Sequence, residues 1–146
     1  MGSSAATMET SSPRFGIVQT YALVFGIAYI AVALLEDILG AGGKTLTVGG
    51  YTILMLTGVQ NAIHWIVGVA VLGSFFAGES TAKLVARVVG IVFVLVTILG
   101  LAVEPTTGHL LGFSGALPGS YNVVHLLTAA AALFAGFAAT RAYGRS

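Results

Sequence analysis

The sequence predicts an all-α, polytopic integral membrane protein, a four-helix bundle made of two helical hairpins that repeat one another in parallel. Composition is the first reason: 57% of the 146 residues are hydrophobic and 8% are charged, against roughly 25% charged residues in a soluble domain. Six basic and five acidic side chains cannot keep a globule of this size wet, which excludes a water-soluble single domain. The second reason is a set of four apolar stretches of about 20 residues, the length that crosses a hydrocarbon core as a helix. The third is a pair of matching segments in the two halves of the chain.

Charge and cysteine content narrow the function. A net charge of +1 gives no clustered basic face to release counterions from phosphates, so no nucleic-acid partner is expected. With no cysteine there is no disulfide framework, thiolate metal site or cysteine nucleophile.

Residues 1–14 are small and polar, as in a disordered tail. The first span runs from about Phe15 to Leu35, broken by Gln19 and Thr20 and closed by Glu36, Asp37 and the glycines 40, 42 and 43. Its apolar region is longer than the roughly 7–15 residues of a signal-peptide core, which argues against cleavage. The second span runs from about Gly58 to Phe76 and stops at Gly78-Glu79-Ser80. A third covers about Leu84 to Val103, with Arg87 near enough to its start to snorkel, and Glu104-Pro105 ends it. The fourth follows Pro118-Gly119, from about Ser120 to Arg141. One transmembrane domain is therefore expected over 15–142, in halves of about 15–78 and 82–142, with 143–146 as a second tail.

Basic residues in short loops resist translocation. Arg14, Lys83, Arg87, Arg141 and Arg145 fall on one side and Lys44 on the other. Both termini and the Glu79 turn are then expected in the cytoplasm, with the longer loops, about 40–57 and 104–119, outside. Tyr51 and Tyr121 would join an outer aromatic belt and Tyr143 an inner one, while Gln19 and Gln60 read as interfacial. Trp65, set deeper, would face lipid or a ligand.

The repeat pairs Gly26-Ile27-Ala28-Tyr29 with Gly90-Ile91-Val92-Phe93, and Asn61-Ala62-Ile63-His64 with Asn122-Val123-Val124-His125. Two spans per half return the chain to its starting side, so the halves would be related by a pseudo-twofold axis along the membrane normal. His64 and His125 would lie at equal depth, roughly 8–9 Å into their helices at 1.5 Å per residue. Asn61, His64 and Gly68, like Asn122, His125 and Ala129, make one helical stripe, which lipid would leave without partners and which should therefore face the bundle. Thr128, Ala132, Gly136 and Thr140 form a small-residue seam suited to close helix contact.

This pattern resembles the small four-helix prokaryotic membrane proteins grouped as domain of unknown function 4383. The resemblance covers about Phe15 to Ala142 and rests on the paired hairpins, on Asn61-Ala62-Ile63-His64-Trp65-Ile66-Val67-Gly68, and on His109-Leu110-Leu111-Gly112-Phe113 followed by Asn122-Val123-Val124-His125-Leu126-Leu127. Trp65 stands where the family has Leu, and Thr128-Ala129 where its second Gly falls. The resemblance implies the fold and assigns no activity.

The intramembrane histidines admit several roles. They can hydrogen-bond to Asn61, Asn122, Tyr29 or backbone carbonyls and fix helix register, at about 0.6–2 kcal/mol per bond. Two imidazoles at equal depth, each followed by a small residue, also suit bis-histidine haem b, with Asn61 and Asn122 beside them. Glu36 and Asp37 end the first span on the same side, where a solvated helix end is the commoner case. Either carboxylate, with His64 and His125, could instead complete a divalent metal or proton site. His109 reads as interfacial.

Enzymatic motifs are absent: there is no HExxH helix, and before Gly43-Lys44-Thr45 the first P-loop glycine is missing, Ile38 standing in its place. Four helices fill their own interior, which leaves a single copy no obvious transport path. The sequence therefore points to a structural or interaction subunit without catalysis of its own, in contact with lipid and with a protein partner or a second copy. The alternatives are a haem- or metal-binding protein and a small transporter or proton pathway.

Overall fold

The computed structural model describes residues 15–40, 44–49, 51–102 and 119–138. Four helices, α1 (Ile17–Leu39), α2 (Gly58–Phe76), α3 (Glu79–Ala102) and α4 (Gly119–Phe137), form the bundle, and each is long and apolar enough to cross a membrane. The chain is a multi-pass membrane protein. The expected tails, the loop holding His109, and Arg14, Thr140, Arg141, Tyr143 and Arg145 lie outside the described residues.

Helix α1 does not stop at the carboxylates. It continues through Glu36 and Asp37 to Leu39, and the Gly40 N–H closes it on the Asp37 carbonyl at 3.3 Å. Both acids find partners on α2, so neither has to leave the helix for water. The expected long loop that follows holds an antiparallel hairpin, β1 (Lys44–Val48) and β2 (Tyr51–Leu56), with Lys44 opposite Leu56, Val48 opposite Tyr51 and an irregularity between Leu46 and Thr47. The strands are rich in Thr, Val, Ile and Tyr, residues that fit a pleated surface. Thr57 then caps α2, its hydroxyl accepting the Gln60 N–H at 3.1 Å.

At the opposite end α2 turns directly into α3. Gly78 adopts φ 98°, a left-handed conformation that glycine reaches without a Cβ clash. Helix α3 starts at Glu79, earlier than its apolar pattern, because an acidic first turn suits a helix N-terminus and Glu79 meets Lys83 at 3.2 Å. Arg87 does more than reach for the interface. Its Nε donates to the Gly136 carbonyl at 2.8 Å and its guanidinium lies 4.7 Å from the Phe137 ring centre, which satisfies a carbonyl in the last turn of α4.

Large apolar side chains point outward: Ile38 is 80% exposed and Phe76 77%. Ala33, Ala86 and Ala132 are completely buried. A small-residue interior under an apolar exterior is how helices pack when lipid is the solvent. The main pairings are α1 with α2 and α3 with α4. A Cβ on Gly26 would come within 2.6 Å of the Leu72 backbone nitrogen, and one on Gly90 within 2.6 Å of the Leu133 side chain, so both crossings depend on the missing side chain. The result is two helical hairpins around one core, with the β-hairpin at one end and the Gly78 turn at the other.

Candidate functional site

The polar residues gather at the β-hairpin end. On α1 the inward stripe Val18, Ala22, Gly26, Ala33 is continued by Glu36, and the next residue, about 100° further round the helix, faces elsewhere. Glu36 is completely buried, with Oε2 2.9 Å from His64 Nδ1. A carboxylate only accepts, so His64 donates its Nδ1–H to Glu36. Asp37 takes a separate set of partners: Oδ1 accepts from Asn61 Nδ2, and Oδ2 accepts the Trp65 Nε1–H at 3.0 Å.

The second hairpin has another arrangement. Asn122 is buried with Oδ1 against Gly100, in the space a Cβ there would occupy. The His125 ring lies between Phe93 and Tyr121, at 5.5 Å and 5.9 Å between centroids, and its Nδ1 is buried without a hydrogen-bond partner among the described residues. Gln60 Nε2 donates to the Tyr121 hydroxyl at 3.3 Å and links the hairpins. Between them is a cavity of about 70 Å³. Tyr29 lines it from α1, Gln60 and His64 from α2, Phe93 from α3, and Tyr121, Val124, His125 and Thr128 from α4.

Residues 19–138 match the family described as Domain of unknown function (DUF4383). The chain belongs to that family. No curated protein and no solved structure matches it.

In this DUF4383 chain the histidines named from sequence line one cavity, and the Asn61 and Asn122 stripes face inward as expected. The candidate ligands do not converge on a single point. Glu36 touches His64, Asp37 is turned to Asn61 and Trp65, and His125 stands across the cavity. Among the described residues no group of three or more His, Cys, Asp or Glu side chains is placed to hold a metal ion. A haem does not fit between the histidines in this arrangement, since the cavity is far below the roughly 300 Å³ at which ligand pockets begin. The small residues after the histidines serve packing: Gly68 lies against Tyr29 and Ile30, and Ala129 is buried in the core.

Two members of the site were misplaced by sequence reasoning. Gln60 and Tyr121 were expected at the interface and are 7% and 5% exposed. The available signal was helical spacing, since each lies four residues before a histidine and therefore on its face. Trp65 is held by Asp37, an alternative to lipid or ligand that its depth alone did not suggest.

Proposed function

We propose that this protein is a non-catalytic subunit of a prokaryotic cytoplasmic membrane, with a structural or interaction role, in which buried polar pairs clamp two pseudo-equivalent hairpins. The observation that carries this reading is the Glu36–His64 pair, a carboxylate removed from solvent and joined to the neighbouring helix.

Matched burial supports the equivalence of the halves. Buried Val18, Ala22, Gly26, Ala33 and Glu36 on α1 have buried counterparts 64 residues later, Ala82, Ala86, Gly90, Thr97 and Gly100 on α3. Gln60, Asn61, Gly68, Val71 and Ser74 on α2 have theirs 61 residues later, Tyr121, Asn122, Ala129, Ala132 and Ala135 on α4. The Gly26–Leu72 and Gly90–Leu133 approaches obey the same two offsets.

Removing one partner of a buried hydrogen bond costs about 1–3 kcal/mol, and more where the group left unsatisfied is a carboxylate. Glu36→Ala and His64→Ala should each lower unfolding stability in detergent by an amount in that range. The double variant should lose clearly less than the sum. Additive losses would show that the pair is no clamp.

The basic-residue bias supports cytoplasmic termini and an outward β-hairpin. The chain has no cysteine, so single cysteines report sidedness directly. A membrane-impermeant thiol reagent should label Thr47→Cys in intact cells and Ser80→Cys only after lysis. The opposite pattern would invert the topology.

A second reading, a bound group near His64 and His125, is favoured by the unpartnered His125 Nδ1. The cavity limits that group to a few atoms.

A further inference from the structure

We propose that the cavity between the two hairpins is a binding site for a small nitrogen cation of the ammonium class. Three acceptors face it from two helices. With Nδ1–H given to Glu36, His64 offers its Nε2 as the acceptor in the proposed site. His125 contributes Nδ1, and Gln60, only 7% exposed, contributes Oε1; both atoms are buried without a partner among the described residues. Buried polar atoms of this kind call for a guest that satisfies them.

Size, charge and donor count identify the guest. A cavity of about 70 Å³ has room for a small guest, since a single water needs about 10–15 Å³ of such space. The Glu36 carboxyl group stands behind His64 at the cavity wall, and Tyr29, Phe93 and Tyr121 supply aromatic surface that attracts cations. Among the described residues no Lys or Arg lines the cavity. The four N–H donors of ammonium can serve these acceptors together, and unlike water they bring the positive charge that the aromatic faces attract. Sodium and potassium carry no such donors, and hard cations prefer oxygen to the two nitrogens offered here.

This site goes beyond the clamping role and does not rest on it, because the Glu36–His64 cycle is measured without ammonium. The test uses the full chain in mild detergent. Its thermal midpoint and binding heat are followed against ammonium chloride, with sodium chloride and tetramethylammonium chloride at equal ionic strength. Ammonium should raise the midpoint saturably and the other two salts should not. His125→Leu, which removes one acceptor, should raise the ammonium concentration needed by about ten-fold or more. Thr128→Leu fills the cavity and keeps all three acceptors, and it should abolish the response even if His125→Leu fails to fold. Equal responses to sodium and ammonium, as a resident water would give, overturn the proposal. So does an ammonium response that survives Thr128→Leu.

Discussion

In the first hairpin a buried carboxylate engages the histidine, whereas in the second the histidine Nδ1 beside the cavity has no partner among the described residues. At the repeat positions of Glu36, Asp37 and Trp65 the second half has Gly100, Leu101 and Leu126. The carboxylate that holds His64 is thus replaced by a glycine, and the space it vacates is taken by the Asn122 side chain. Ten buried positions of the first hairpin have buried counterparts in the second, so the scaffold does not require the Glu36–His64 pair. The pair marks what one half does and the other does not: the first half engages its histidine with a carboxylate, and the second leaves its histidine Nδ1 without a partner beside the cavity.

The helix crossings give the larger of two ways to break this comparison. At Gly26 an added methyl would meet the backbone of Leu72, with its nitrogen at 2.6 Å and Cα at 2.7 Å, and backbone cannot rotate away. At Gly90 the nearest atoms are the end of the Leu133 side chain, Cγ at 2.6 Å and Cδ2 at 2.7 Å, which can change rotamer. Overpacking a close-packed contact costs about 1–3 kcal/mol. Gly26→Ala should fall at the upper end of that range and Gly90→Ala at the lower in detergent unfolding. Gly73→Ala, with nothing within 4 Å of the added atom, serves as the neutral control. Equal losses at positions 26 and 90 would show that the first hairpin is not the more tightly constrained.

How much of this was legible in the sequence depends on what each residue answers to. Span positions follow from hydrophobic length, a property of the chain against lipid, and each of the four helices falls on one of the apolar stretches, with α1 ending later and α3 starting earlier than expected. The inward stripes Asn61, His64, Gly68 and Asn122, His125, Ala129 follow from helical spacing, which fixes a face without tertiary information. The end of α1 was misjudged because Glu36 and Asp37 look like residues seeking water. Whether a carboxylate leaves the bundle depends on a partner 28 residues away in His64, which periodicity cannot weigh. Gln60 and Tyr121 were assigned to the interface for a similar reason, since a polar residue near a span boundary looks the same whichever way its helix is turned. The β-hairpin was missed because its strands are short and flanked by glycines, which resemble a loop.

The second prediction sharpens the comparison by making the halves alike. Gly100→Glu alone forces its new side chain into the space of Asn122 Oδ1 and should destabilise the protein. Combined with Asn122→Ala, which empties that space, the new carboxylate stands at the repeat position of Glu36 and gives His125 the partner its Nδ1 lacks. The double variant should therefore recover about 1 kcal/mol or more relative to Gly100→Glu. It should also respond less to ammonium, because a Nδ1 that donates its hydrogen to the carboxylate no longer accepts from the guest. Failure to recover would mean that His125 is not oriented as His64 is, and that the halves share burial without sharing side-chain geometry. Recovery with an unchanged ammonium response would mean that His125 takes no part in the site, leaving Gln60 and His64 to hold the guest.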